Sequence, residues 1–137
     1  AYETAGIRGR VEPFCNAMGV AWAAATLAIS RAGAGSVAEA WANTVPTIFI
    51  PYPYHRDQHQ RFNAQPLTSA GAALLLRDQI DPIENVNQLT GPILSLMGNE
   101  NQRCKIRATL RASCLPDGAG IVARWLAMGL GMGWRTG

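Results

Sequence analysis

Leu27-Ala28-Ile29-Ser30-Arg31-Ala32-Gly33-Ala34-Gly35-Ser36-Val37-Ala38-Glu39 is the stretch on which the reading of the whole chain turns. Its first four residues are a short apolar run that stops at a glycine-rich turn, so they read as a buried strand. Helical composition takes over from Ser36 to Asn43. The next apolar run, Thr47-Ile48-Phe49-Ile50, is β-branched and aromatic and so favours a second strand over a helix. Strand, turn, helix and strand at this spacing make a βαβ unit, which requires parallel strands.

Working outward, Asn16 to Thr26 has helical composition, and Arg10 to Phe14 reads as a strand end leading into a turn at Pro13. Pro51-Tyr52-Pro53-Tyr54 cannot continue a strand and is loop. His59 to Ser69 is expected as a helix with a bend point at Pro66, and Ala72 to Leu76 as a third strand. Asp81-Pro82 opens a helical region, with proline in the first turn, and Gly91-Pro92 is expected to interrupt it. A helix from about Asn99 to Ser113, a turn at Pro116-Asp117-Gly118 and a last helix from about Ala119 complete the pass. The expected fold class is α/β: a Rossmann-like parallel sheet flanked by helices. Three or four strands amount to about half of a usual doubly wound sheet.

A chain of 137 residues fits one domain with a modest core. Charged residues make up only 15%, against about 25% in an ordinary globular chain. That deficit implies more covered surface than a free monomer usually has. The net charge of +3 rests on eleven arginines and Lys105, which suits an anionic small ligand or an anionic membrane surface. The arginines are dispersed, without the aromatic-interleaved basic cluster of a nucleic-acid binder. Cys15, Cys104 and Cys114 lack metal-site spacing and read as reduced, mostly buried small hydrophobes. Ala1 to Arg10 has no apolar core of a signal peptide. Ala17 to Ser30, an uncharged alanine-rich stretch, is shorter than the about 20 apolar residues that span a bilayer. With no initiator Met and a short charged lead, the chain reads as a piece of a longer one.

Two segments carry candidate chemistry. The turn Arg31 to Gly35 before a helix start suits an anion, because glycines admit close backbone approach and the helix start offers free N–H groups. Glycines in such turns also serve packing, and Ser36-Val37-Ala38-Glu39 equally fits a capping box with Ser36 at the cap. On residue physics alone the capping box is the better reading. The second segment, Pro51 to Ala64, follows the carboxyl end of a strand, where open α/β sheets bind ligands. It is dense in side chains able to donate and accept hydrogen bonds, as a sugar requires. A polar surface loop in which His59 and Gln60 simply start a helix is the plainer alternative.

Together, Ser30 to Glu39, Val45-Pro46, Pro51 and Pro53, His59-Gln60 and Asn63-Ala64 resemble the donor site of the MurG-type UDP-N-acetylglucosamine transferases. The match in order and spacing runs across residues 27 to 76. A weaker likeness extends from Val11-Glu12-Pro13-Phe14 to Pro116-Asp117-Gly118-Ala119. The resemblance implies a GT-B-type enzyme, in which residues 1–137 are the C-terminal UDP-sugar donor-binding domain. That domain would be incomplete at its N-terminal end, and the acceptor domain would be absent. The family moves N-acetylglucosamine from UDP-GlcNAc to lipid I, making lipid II for peptidoglycan at the cytoplasmic face of the plasma membrane. By resemblance, Gly33, Ala34, Gly35 and Ser36 hold the diphosphate, and Glu39 hydrogen-bonds the ribose. His59 and Gln60 contact the sugar or its phosphate, and Asn63 supports their loop.

The resemblance implies no catalytic residue in this chain, no metal ligand, no cofactor and no nucleic-acid partner. Lipid I would be held by the missing N-terminal domain, and any membrane contact would be peripheral. The family's glycine-rich acceptor loop, with its His base, has no counterpart here, so neither His55 nor His59 is assigned as general base. One alternative is a noncatalytic nucleotide-sugar-binding subunit that needs a separate acceptor-binding chain. Another is a natural-product GT-B transferase, whose donor motif more often carries His-Gly-Gly where Arg31-Ala32-Gly33 stands. Elsewhere, Arg103, Arg107 and Arg111 at i, i+4 and i+8 read as a solvated helix face rather than a lipid contact. Trp22, Trp41 and Trp125 read as core or interface residues. Trp125 to Trp134 is too apolar for a solvated tail and is expected to dock on a partner.

Overall fold

Thr47-Ile48-Phe49 is the central strand, and all three residues are buried. In the computed structural model, which describes residues 4, 6–54, 57–113 and 118–130, the strands are β1 (Ala28–Ser30), β2 (Thr47–Phe49) and β3 (Leu74–Leu75). β2 pairs in parallel with both neighbours, in the order β1-β2-β3. A strand covered on both faces reads as a continuous apolar run rather than an alternating one. Thr47, its one polar side chain, donates its hydroxyl to the Val45 carbonyl at 2.9 Å, so burial strands no donor. The register sets Ser30 opposite Phe49 and Phe49 opposite Leu75, and the three strands end level.

Six helices are described: α1 (Met18–Ala24), α2 (Ala34–Ala42), α3 (His59–Ser69), α4 (Pro82–Gly98), α5 (Glu100–Ala112) and α6 (Gly118–Gly129). Val37 and Ala40 of α2, Ala64 and Leu67 of α3, and Leu96 of α4 are buried in one cluster with Ile48 and Phe49. Trp22 closes the cluster from α1, and Ile106 and Leu110 from α5. The Rossmann-like α/β expectation holds, with α3 running from His59 to Ser69 as the composition indicated. Arg10 to Phe14 forms no strand; Val11 and Phe14 are exposed and pair with no sheet.

The interruption expected at Gly91-Pro92 does not occur. α4 starts where Asp81 accepts from the backbone N–H groups of Ile83 and Glu84, at 2.8 and 3.0 Å, and runs through Pro92 to Gly98. An interior proline costs about 3 kcal/mol. Against that, Leu89, Ile93 and Leu96 stand at i, i+4 and i+7 and pack on the core, and each such side chain gains about 1.5–3 kcal/mol when fully buried. Packing outweighs the lost hydrogen bond.

Asn99 ends α4 and caps α5, accepting from the Gln102 N–H at 3.0 Å. The arginine stripe on α5 is not the solvated face that its spacing suggested. The Arg103 side chain is 11% exposed and that of Arg107 is 23% exposed. Arg103 donates to the Leu96 and Met97 carbonyls in the last turn of α4 and pairs with Glu100. Arg107 reaches Glu100 at 3.0 Å, while Arg111 remains exposed. A guanidinium can answer several carbonyls at a helix end, and the α4–α5 corner supplies them.

Cys15 and Cys104 are free, but the expected burial fails: Cys15 is half-buried and Cys104 exposed, while Cys114 lies outside the described residues. Trp22 is core and Trp41 donates its indole N–H to the Ser113 carbonyl at 3.0 Å. Trp125 is not core. On α6 the half-buried positions are Gly120, Ala123, Arg124 and Ala127, whereas Ile121, Val122, Trp125, Leu126 and Met128 are exposed. Met132 and Trp134 lie outside the described residues.

Arg103→Ala is expected to lower stability by about 1–3 kcal/mol, the cost of leaving part-buried carbonyls without a charged donor. Arg111→Ala should stay within about 0.5 kcal/mol of wild type. Urea unfolding of both variants checks this, and equal effects at the two positions would contradict the capping role of Arg103.

Candidate functional site

α2 starts immediately beyond the end of β1. Gly33 is its N-cap, in extended backbone (φ −63°, ψ 149°), and its carbonyl accepts the first intrahelical bond from the Val37 N–H at 3.0 Å. The backbone N–H groups of Ala34, Gly35 and Ser36 therefore have no acceptor within the helix, and no side chain caps them. The capping box does not form. Ser36 sits inside the first turn, and Glu39 accepts instead from the indole Nε1 of Trp22 at 2.9 Å. A buried indole N–H needs an acceptor, and the Glu39 carboxylate supplies it.

Neither Gly33 nor Gly35 has a positive φ, and a Cβ built on either would meet nothing within 4 Å. Packing among the described residues therefore does not require these glycines. Their faces open onto the space in front of the helix start, where the partial positive charge of the helix dipole lies.

α3 packs beside α2. It begins after Gln58, which takes the left-handed conformation (φ 50°). Asn63 Nδ2 donates to the Ala32 carbonyl at 3.1 Å, tying α3 to the turn before α2. Asn63 thus supports the β1–α2 turn rather than the loop around His59 and Gln60. Gln60 Oε1 accepts from the Tyr52 N–H at 2.9 Å, which leaves its amide N–H groups as donors. His59 Nδ1 lies 2.8 Å from Asp57 Oδ1, so the carboxylate sets the orientation of the imidazole. Gly33, Ala34, Gly35, Ser36, His59, Gln60 and Asn63 are gathered at one edge of the sheet. Glu39 stands one turn further along α2, beside α1. His55 lies outside the described residues.

The sequence reading gave no role to a side chain that joins these pieces. Arg31 Nη1 donates to the Ile50 and Pro51 carbonyls, both at 3.2 Å, and to Asp78 Oδ2 at 2.6 Å. Its guanidinium carbon lies 5.8 Å from the centroid of the Tyr52 ring. Asp78 also accepts from Asn85 Nδ2 at 2.9 Å and from the Ile80 N–H at 2.8 Å. The Asn85 amide first, then the Ile80 N–H and Arg31, hold its carboxyl down at about 2. Forty-seven residues separate Arg31 from Asp78, and no spacing rule links side chains across such a gap. Among the described residues no group of three or more His, Cys, Asp or Glu could hold a metal ion.

Residues 2–110 match the glycosyltransferase family 28 C-terminal domain. The chain belongs to that family. A UDP-N-acetylglucosamine–N-acetylmuramyl-(pentapeptide) pyrophosphoryl-undecaprenol N-acetylglucosamine transferase of Xylella fastidiosa (strain Temecula1) is 40% identical over 123 residues, covering 90% of this chain and 33% of the relative. A relative of the same name from Solibacter usitatus is 39% identical over 117 residues, 82% of this chain and 32% of its own length. The crystal structure of Acinetobacter baumannii MurG superposes with a TM-score of 0.70 at 30% identity, covering 85% of this chain and 32% of that one. The chain thus spans about a third of the length of the curated relatives it matches.

Asp78 titrates at about 2 in the fold against an ordinary 3.8. A depressed carboxyl contributes stability that is complete above about pH 4 and is lost as pH falls toward 2. Asp78→Asn should reduce the slope of stability against pH in that window. Unfolding free energies measured from pH 5 down to about pH 2 check this, and parallel curves for variant and wild type would refute it.

Proposed function

We propose that this chain is the UDP-sugar-binding part of a transferase that delivers N-acetylglucosamine from UDP-GlcNAc to a polyprenyl-pyrophosphoryl N-acetylmuramyl acceptor. The observation that carries the reading is the start of α2: three successive N–H groups without acceptors among the described residues, beside two glycines that no described neighbour requires. Such a helix start accepts phosphate oxygens through backbone donors and the helix dipole. The Ser36 hydroxyl adds a fourth donor at the same turn. The family and the activity for which the relatives are named support a sugar diphosphate as the anion.

In this reading Glu39 takes the ribose hydroxyls. Trp22 occupies one lone pair of its carboxylate and fixes its orientation, while the second oxygen stays available. Gln60 donates its amide N–H groups to the sugar, since its carbonyl oxygen is already engaged by Tyr52. His59, steadied by Asp57, lies beside it. Asn63 acts behind the site by holding the Ala32 carbonyl. No residue of this chain is assigned as the base that deprotonates the acceptor.

We further propose that residues 1–137 belong to a donor domain whose sheet continues beyond β1. β1 is an edge strand here, and Ile29 on it is half exposed. The acceptor would be bound by a separate domain. The acceptor named for the relatives is polyprenol-linked, which supports peripheral work at a membrane surface. No helix among the described residues is long and apolar enough to cross one.

Calorimetric titration of the chain with UDP, UDP-GlcNAc and inorganic pyrophosphate tests the reading. Glu39→Ala should weaken UDP by about 1–3 kcal/mol, the cost of stranding a hydrogen-bonding group, and leave pyrophosphate unaffected. Equal UDP affinity in variant and wild type would refute the ribose assignment. Replacing His59 and Gln60 together by Ala should remove the preference for UDP-GlcNAc over UDP. If UDP itself weakens as much as the sugar nucleotide, the pair does not face the sugar.

A further inference from the structure

We propose that Arg31 is a positioning residue which, with Asp78, locks the connections leaving the three strands into the arrangement that receives the donor. This deepens the reading above and rests on it. Arg31 follows the last residue of β1, Ile50 and Pro51 follow the last residue of β2, and Asp78 stands three residues beyond β3. One guanidinium nitrogen gathers acceptors from the other two connections, at 3.2, 3.2 and 2.6 Å. The far end of the clamp is itself fixed, because Asn85 of α4 and the Ile80 N–H hold the other Asp78 oxygen.

The clamp acts on the candidate ligand-facing groups at two points. On one side, Arg31 is continuous with Ala32 and Gly33, the residues that aim the free N–H groups of α2. On the other, the Pro51 carbonyl it holds belongs to the peptide whose N–H, on Tyr52, engages Gln60 Oε1. A shift of the guanidinium therefore moves both the diphosphate-facing turn and the sugar-facing amide. Arg31 is not a bare cation offered to the diphosphate, because the Asp78 carboxylate pairs with its charge.

That pairing separates positioning from direct contact. If charge alone mattered, removing the Asp78 anion would free a cation beside an anionic ligand and tighten binding. A positioning role has the opposite sign. Asp78→Asn keeps the shape of the side chain, and Arg31→Lys keeps the charge while losing the fork that reaches several acceptors.

The 137-residue chain, Asp78→Asn and Arg31→Lys are titrated with UDP, and amide exchange is followed in the ligand-free proteins. Both variants should bind UDP about tenfold more weakly, a change of about 1.4 kcal/mol. The amides of Val37 and Tyr52, bonded to the Gly33 carbonyl and to Gln60 Oε1, should exchange faster in both, while those of Ile48 and Phe49 keep wild-type protection. UDP affinity equal to or tighter than wild type in Asp78→Asn would overturn the proposal. So would wild-type affinity in Arg31→Lys, unchanged exchange at both Val37 and Tyr52, or loss of protection throughout β2, which would make the pair a support of the whole fold. A wild-type chain that takes up no UDP would refute the donor reading instead, and the exchange comparison would still decide the clamp.

Discussion

The pairing of β2 with a parallel strand on either side sets Ser30, Phe49 and Leu75 at one level, and the connections that follow them leave the sheet along one edge. Parallel strands cannot be joined by tight turns, so each connection is long enough to carry a helix back across the sheet. Helix starts and polar loops are thereby concentrated at the carboxyl edge, while Ile48, Phe49 and the helix faces beneath them stay dry. The unsatisfied donors of α2, the amide of Gln60 and the Arg31–Asp78 pair meet there because of that topology.

At this edge several polar side chains are held by neighbours from other elements. Trp22 of α1 orients Glu39 of α2, Asn63 of α3 holds Ala32, and Arg31 binds the connections beyond β2 and β3. Such cross-links offset part of the entropy cost of ordering long loops. They also explain a scarcity of charge that is compatible with a polar site: the charges are few, and Arg31, Asp78, Arg103 and Glu100 are committed to specific partners.

What was legible in the sequence was local. Alternating strand and helix composition was enough to foresee β1, α2, β2 and α3 in order, because β-branched runs and glycine turns act over a few residues. The glycine turn and the His59-Gln60 pair resembled a donor site, and the fold brings both to one edge. The failures were decided at longer range. Ser36 and Glu39 matched a local capping pattern, yet an indole seventeen residues away took the carboxylate. Pro92 carries a local stop signal that Leu89, Ile93 and Leu96 override by packing on a core assembled from other helices. Arg103 and Arg107 had the spacing of a solvated stripe, and only the α4–α5 corner reveals the carbonyls and the glutamate they answer. The Arg31–Asp78 pair bridges the sequence at a distance where no pattern operates.

Under the proposed donor-binding role, Gly33 and Gly35 show how the demands of folding and of ligand capture can pull one position in different directions. Neither glycine is forced by backbone conformation or by a described neighbour, and Gly35, inside a helix, forgoes about 0.5–1 kcal/mol that alanine would supply. Selection for abundance alone would have every reason to replace it. A survey of variants scored by cellular protein level and a second scored by retention of a nucleotide would therefore disagree here, and in opposite senses. In the first the two sites would rank among the most permissive of the domain. In the second they would rank among the least, and that divergence would mark the ligand pocket without a bound ligand being seen.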